Sequence, residues 1–379
     1  MKVAYILHDT DSFGGTNRSF LQMLYAIIKS GVEPLVVLPN KNGIYSELQE
    51  KGIETLILNY RPNTYPYEES IRDYLLWLPR LVARRVVNAI ADRKLAQKIA
   101  GFDMVHTNVS IIDIGARAAK RQGIPHVYHF REYGDRDFRM RYYPSKQRFY
   151  QSVRHAICIT HGIQAYHHPA ADTCVVYNGI LSSTTPRYDA QPDRENYLLY
   201  AGRLEKTKGV EELLEAYARS QRTIPLWVAG FALKEDYQFA LQQLCRQLGI
   251  DDHVRFLGNR TDILPLMASA RAIIIPSQHE AFGRTMAEAM YQRCLTIGRD
   301  TDGLHEQFEN GLKQTGDEIG LRFRNIDELT AHIRAVSEAD AGQWQAYKER
   351  AFRTVSQLYT VEACAAAIMD YYQRIAQEK

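Results

Sequence analysis

The chain has 379 residues, 45% of them hydrophobic and 24% charged, with a formal net charge of +3. That length favours two domains of an ordinary soluble protein, and the charge is too small to argue for a nucleic-acid partner. No run nears the roughly 18 apolar residues of a membrane span, and the apolar run in MKVAYILHD meets a charge too soon for a signal peptide.

The first half reads as short, β-branched runs bounded by polar, Gly or Pro positions: KVAYIL, EPLVVLP, IETLIL, DMVHTN, PHVYHF, HAICIT and TCVVYN. Helical patterns at residues 16–30 and 113–122 fall between them. Near-continuous apolar strands alternating with helices predict a parallel sheet covered on both faces. Residues 181–195 (LSSTTPRYDAQPDRE) are polar, hold two prolines and have no apolar period, as an interdomain linker would. The pattern then restarts with NYLLYAG, a helix at 209–221, PLWVAG, a helix at 234–248, VRFLG, a helix at 262–269, RAIIIP, a helix at 284–292 and CLTIG, before helices at 325–338 and 343–378. The expected organisation is an N-terminal α/β domain over 1–180, the linker, and a second α/β domain over 196–358, each a doubly wound Rossmann-like sheet, the two facing across a cleft. The five cysteines lie mostly in apolar runs with neither metal nor disulfide spacing, as buried thiols of a cytoplasmic protein would.

In an open parallel sheet ligands sit at the carboxyl ends of the strands, so residues directly following a strand are the candidates. After the first strand, Gly14 and Gly15 precede a helix, where backbone can approach a phosphate; a plain strand-to-helix turn reads the same way. The strand NYLLYAG runs into Arg203 and, just before Gly209, Lys208, two cations placed for a diphosphate; a solvated basic loop is the other reading. RAIIIPS leads into HEAFGRTMAEAM, in which Glu280 and Glu288 flank a turn at Gly283. The N–H groups of Phe282, Gly283, Arg284 and Thr285 then form a phosphate seat at a helix start. The carboxylates on either side suit sugar hydroxyls, although a dipole-stabilising acid and a surface helix acid would look alike. The arrangement suits a ligand with a diphosphate between two polyols, and a nucleotide sugar is such a ligand. His106 and His129 end two strands and suit either structure or proton transfer.

These residues together resemble the large retaining glycosyltransferase family conventionally numbered four, whose fold is called GT-B. The resemblance runs over most of the chain and is strongest between Asn178 and Glu309. It rests on Asn178-Gly179, Gly202-Arg203-Leu204, Lys208-Gly209, the strand VRFLG ending at Gly258, and Glu280, Phe282, Gly283 and Glu288. It implies that Arg203 and Lys208 hold the diphosphate, and that backbone at Gly15 and from Gly283 to Thr285 completes its site. It further implies that Glu280 touches the donor sugar, Glu288 the ribose, and that His129 lies near the sugar and the incoming hydroxyl. Glu280 and His129 are thus its catalytic candidates, and residues 359–379 form a helix crossing back to the first domain. Ala281, Phe231-Ala232 and Asp302-Gly303 depart from the family's glycines around the donor.

The expected reaction moves a sugar from a UDP- or GDP-linked donor to a hydroxyl with retention, through an oxocarbenium-like transition state. Neither a metal nor a cofactor is expected, because the cations stabilise the departing diphosphate. A metal-dependent enzyme using Asp9/Asp11, Asp135/Asp137 or Asp300/Asp302, a nucleotide-sugar epimerase on the same fold, and a non-catalytic binder are the rivals. An NAD oxidoreductase lacks its Gly-x-Gly-x-x-Gly after a strand.

Residues 1–190 hold 24 Lys/Arg against 17 Asp/Glu, and the rest 23 against 27. The basic excess gathers in residues 74–98 and 131–149, both rich in aromatics, which suit an anionic membrane surface or equally a solvated helix face. The first reading favours a saccharide or lipid-linked saccharide acceptor in bacterial surface-polysaccharide synthesis, on the inner face of the cytoplasmic membrane.

Overall fold

The computed structural model describes residues 1–378 except 13, 67–70, 139, 170, 183, 189–195, 222–223, 233–234 and 341, with side chains 66, 73–74, 137–138 and 235 also outside the description. The chain forms two compact units, Met1–Gly179 together with Val361–Lys379, and Ile180–Thr360.

Unit 1 runs β1 (Lys2–Ile6), α1 (Gly15–Lys29), β2 (Glu33–Leu38), α2 (Ile44–Glu50), β3 (Glu54–Ile57), β4 (Thr64–Pro66), α3 (Ile71–Lys98), β5 (Met104–Thr107), α4 (Ile114–Gln122), β6 (His126–Phe130), α5 (Asp135–Phe138), β7 (Met140–Tyr142), α6 (Lys146–Gln151), β8 (His155–Cys158), α7 (His161–His167) and β9 (Asp172–Val175). Seven strands make one parallel sheet in the order β3-β2-β1-β5-β6-β8-β9. They are the seven apolar runs of the first half. The sheet is covered on both faces, so residues on both faces of β1 (Val3, Ala4, Tyr5 and Ile6) are fully buried. The antiparallel pair β4–β7 is too short and too polar to show in the apolar pattern.

Unit 2 runs β10 (Leu198–Ala201), a 3₁₀ turn (Lys206–Lys208), α8 (Val210–Arg219), β11 (Leu226–Ala229), α9 (Glu235–Gln247), β12 (Val254–Gly258), α10 (Ile263–Ser269), β13 (Ala272–Ile275), α11 (Arg284–Tyr291), β14 (Leu295–Arg299), α12 (Asp302–Thr315), β15 (Leu321–Phe323), α13 (Ile326–Glu338) and α14 (Gln345–Leu358). Its parallel sheet has the order β12-β11-β10-β13-β14-β15. On α8 the apolar spacing 210, 213, 214 and 217 makes one buried stripe, which joins Leu329, Ile333 and Val336 of α13 in the core. Helix α12 and strand β15 extend the expected pattern. The α/β architecture of two Rossmann-like units is thus as the sequence reads.

The segment expected as a linker is fastened to unit 2 where it is described. Tyr188 N–H donates to Gln292 Oε1 at 3.0 Å and Gln292 Nε2 to the Pro186 carbonyl at 2.8 Å; residues 189–195 lie outside the described residues. The long C-terminal helix expected over 343–378 is instead two. At Tyr359 the carbonyl accepts the N–H groups of Ile180 and Leu181 at 2.9 and 3.2 Å, leaving helical geometry. The chain resumes as α15 (Val361–Gln377), whose Cys364, Ile368, Tyr372 and Ile375 pack in the core of unit 1 with Phe20, Leu24 and Ile27 of α1.

Candidate active site

The carboxyl ends of β10 and β13 in unit 2 carry the predicted diphosphate residues. The turn after β10 is held from both sides: Tyr200 Oη donates to the Arg203 carbonyl at 2.7 Å, and Leu204 N–H to the Phe231 carbonyl at 2.9 Å. The following turn is fixed to the end of β13, where Gln278 N–H donates to the Thr207 carbonyl at 2.9 Å. Gly209 closes it in left-handed geometry (φ 68°), and a Cβ there would stand 2.3 Å from the Pro276 carbonyl oxygen. This is why lysine is followed by glycine. The result places Lys208 Nζ 2.5 Å from Glu280 Oε1, both side chains mostly buried. Two motifs 72 residues apart thus form one ion pair. Arg203 is half-exposed, with Glu205 at 3.7 Å.

Glu280, Phe282 and Gly283 are positioned by an elbow. Gly283 has φ 87° and caps α11, whose first-turn N–H groups, Arg284 and Thr285 among them, have no preceding turn of carbonyls to meet. Such a helix start favours an anion. Phe282 contributes its backbone, because its ring is buried edge-on against Tyr359 at 5.2 Å. Glu288, one turn in, accepts from Arg284 Nη2 at 2.9 Å, which leaves its second carboxylate oxygen outside that bond.

Sequence reasoning missed the clamp on this elbow. Gln307, buried on α12, donates from Nε2 to the Phe282 and Gly283 carbonyls at 2.5 and 3.0 Å. Gly303 N–H donates to the Glu280 carbonyl at 2.8 Å, and a Cβ at Gly303 would stand 2.6 Å from Phe282 Cα. An amide inside a helix gives no sequence signal for this work. The departure at Asp302 also acquires a reason: its φ is 47°, a region glycine enters freely and aspartate is among the few others to tolerate.

Unit 1 brings different groups to its own strand ends. Gly15 opens α1, with Gly14 as its extended cap. His129 is 1% exposed rather than open to solvent. Its Nδ1 lies 3.2 Å from His106 Nε2 and 3.3 Å from Arg131 Nη2, and Tyr372 Oη bonds His106 Nδ1 at 2.6 Å. Burial, then the Arg131 charge, holds both imidazoles well below their usual range, so they are neutral. His129 Nε2 has no hydrogen-bond partner among the described residues. Below about pH 6.5 the unfolded chain takes up protons that these rings refuse. Stability is therefore full above that pH and falls as pH drops toward the lowered folded values, by up to about 1.4 kcal/mol per unit for each ring. Melts of wild type and His129→Gln between pH 7 and 5 check this, with the variant showing the shallower loss. Equal slopes would contradict it.

Glu132 was also missed, although it lies two residues past the end of β6, where the strand-end filter looks. It is buried, and Ser110 donates to Oε1 from N–H at 2.6 Å and from Oγ at 2.7 Å. Arg131 bonds Asn108 Oδ1 at 2.8 Å and Asn178 Oδ1 at 2.5 Å, which accounts for the asparagine of Asn178-Gly179. The membrane reading of residues 131–149 needs correction, since Arg131, Tyr133, Tyr142 and Phe149 of that run are buried. Its aromatics build the core around β6, where Tyr142 stacks on Phe149 at 4.7 Å.

At least one aspartate of each Asp-x-Asp pair meets a basic side chain of the protein. Asp135 meets Lys146 at 3.0 Å, and Asp300 meets His305 at 2.6 Å and Arg324 at 2.8 Å. Burial raises the Asp300 carboxyl, but His305 and Arg324 outweigh it and hold the group below its ordinary range. Asp9 meets His8 at 2.9 Å.

The profile described as Glycosyl transferases group 1 matches residues 184–352, and that described as Glycosyltransferase Family 4 matches residues 13–181. The chain belongs to glycosyltransferase family 4. The chain is 33% identical over 178 residues to glycogen synthase of Mycobacterium tuberculosis, a match covering 45% of this chain and 41% of that protein. It is 27% identical to the lipopolysaccharide core biosynthesis glycosyltransferase LpsD of Rhizobium meliloti, over 51% of this chain and 60% of that one. The matched stretches thus span about two-fifths to three-fifths of these relatives. The crystal structure of Anabaena HepE in complex with UDP has the same GT-B fold, with a TM-score of 0.77 at 20% identity over 99% of this chain and 100% of that one.

Proposed function

We propose that this glycosyltransferase moves a sugar, with retention and without a metal, from a UDP- or GDP-linked donor to a hydroxyl of a saccharide or lipid-linked saccharide in bacterial surface-polysaccharide synthesis. The observation that carries the donor half is the Lys208–Glu280 pair beside the left-handed Gly283 elbow. It sets a cation, a helix start and a sugar-binding carboxylate within one turn of each other. UDP in the HepE complex and the LpsD relative support the donor and pathway.

The anomeric carbon–oxygen bond to the diphosphate breaks as the acceptor oxygen bonds the same carbon on the same face. The acceptor proton passes to the departing phosphate oxygen. Arg203, Lys208 and the N-terminus of α11 stabilise the charge that develops there. Glu280 and Glu288 orient the sugar and ribose hydroxyls, Gly15 offers backbone to phosphate, and His129 Nε2 is the atom offered to the sugar. Arg203 and Lys208 take the place of a metal.

Incubating the purified protein with UDP- and GDP-linked sugars, with and without saccharide acceptors, tests this. Acceptor-dependent release of nucleoside diphosphate that survives EDTA is expected. Loss on EDTA would support an Asp-x-Asp enzyme instead, and a rearranged donor without acceptor would support an epimerase.

The acceptor side rests on α3. Among the described residues no helix is long and apolar enough to cross a membrane. Yet Ile71, Leu75, Leu78, Val82, Val86 and Ile90, each three or four residues from the next, are 50% to 82% exposed along one face of α3. Leu81, Ala91 and Leu95 are buried on the other face. Exposed Arg85 borders the stripe on one side and Lys94 on the other. A two-fold pairing of such helices would set like charges together, whereas anionic lipid gains about 1 kcal/mol per basic residue near the surface. A cytoplasmic protein lying on the inner leaflet follows. Flotation with anionic vesicles should recover the wild type and lose Val82→Glu/Val86→Glu by at least about tenfold. Equal recovery, or dimer formation in place of flotation, would overturn this.

A further inference from the structure

Unit 1 contains a cavity of about 860 Å³, within the size range of small-molecule sites. It lies at the amino ends of β6 and β8, away from the strand ends that carry His129 and Glu132. Tyr128 and His126 line it. Side chains alternate along a strand, so His129 faces the other side of the sheet.

Three polar atoms on this wall lack hydrogen-bond partners among the described residues: Tyr128 Oη, Asp113 Oδ1 and His155 Nδ1, the last with the Asp172 carboxylate 3.7 Å away. Tyr128 is fully buried and His155 is 7% exposed. Burial, and then the Asp113 charge on the same wall, push the Tyr128 hydroxyl above its ordinary range, with Arg117 opposing them. Asp113 spends Oδ2 on Arg117 and leaves Oδ1 facing no donor. Buried orphans are uncommon in folded proteins, and three of them on one wall supply a donor and acceptors awaiting partners.

The charges select the partner. Lys120 and Arg154, both exposed and both lining the cavity, form no ion pair among the described residues. Arg117 is already held by Asp113, and Glu378 faces His155 at 3.9 Å. Lys120 and Arg154 outnumber the Glu378 carboxylate at this opening, so its charge is positive on balance. Ile124, Pro125, Val153 and Ile375 add apolar wall suited to the carbon face of a sugar ring. Water alone would satisfy the orphans but would not use Lys120 and Arg154.

We infer that this cavity is a second small-molecule site, taking a phosphorylated sugar whose phosphate meets Lys120 and Arg154 and whose hydroxyls meet Tyr128, Asp113 and His155. This site is separate from the donor residues of unit 2 and does not depend on the reaction proposed for them.

Titration of the full chain with glucose 1-phosphate, inorganic phosphate and glucose, followed by calorimetry, tests it. Glucose 1-phosphate should bind at least about tenfold more tightly than either fragment. Tyr128→Phe keeps the ring and removes an unpartnered hydroxyl, so it folds as wild type and should weaken binding about five- to tenfold. Lys120→Glu/Arg154→Glu should weaken it further, while Arg203→Ala should leave it unchanged. No binding, binding equal to that of inorganic phosphate, or binding lost in Arg203→Ala but kept in the cavity variants would each overturn the inference.

Discussion

Replacing Lys208 by alanine lowers the rate of sugar transfer about a hundredfold. Lys208 lies at the end of its strand, fixed by the Gln278–Thr207 bond and paired with Glu280 at 2.5 Å. A preorganised donor aimed at a departing anion is worth about 3 kcal/mol of transition-state stabilisation. Removing it has a second effect. Glu280 loses its cation and stands as a bare carboxylate beside an incoming diphosphate, so donor affinity falls as well. Lys208→Arg keeps the charge and should recover part of both. Nucleoside-diphosphate release at varied donor concentration separates kcat from KM, and an alanine variant within twofold of wild type in both would refute the role.

Gly209→Ala should be strongly damaging to the donor unit. The added methyl falls 2.3 Å from the Pro276 carbonyl oxygen and 3.0 Å from its carbon. Both are backbone atoms of the strand end, so no side chain can turn away. The φ of 68° adds about 1–2 kcal/mol for any L side chain, and overpacking adds a further 1–3 kcal/mol. Gly31 is the control. Its φ is 87°, yet nothing lies within 4 Å of its Cβ position, so Gly31→Ala carries the conformational cost alone. Thermal melts should place Gly209→Ala several degrees below Gly31→Ala. Equal melting temperatures would mean that the loop moves freely and does not hold Lys208.

Much of this was legible in the chain. Apolar runs such as AIII of β13 are buried on both sides, and a parallel sheet writes that directly into sequence. The strand-end filter found Lys208 and Glu280 because both follow strands, although their pairing across 72 residues is a property of the sheet order that no local pattern carries. Gln307 was invisible because its work, donating from one amide group to two carbonyls, leaves no periodicity. The aromatic run at 131–149 misled because basic and aromatic residues look alike in a core and on a membrane face. Burial of Arg131 needed Asn108 and Asn178, from two other strand ends, to be brought to it. On α3 the same composition does lie exposed, and only the fold separates the two cases.

Lys208 touches Glu280, so part of any loss there reflects the pair as well as the chemistry. Arg203 is cleaner. It is half-exposed, and its ion-pair partner among the described residues, Glu205, is 3.7 Å away, so its removal costs little stability. The decisive measurement is therefore acceptor-dependent sugar transfer by Arg203→Ala beside wild type, with melting temperatures matched. Turnover reduced about a hundredfold is the predicted result, and near wild-type turnover would contradict the assignment of this strand end to the donor diphosphate.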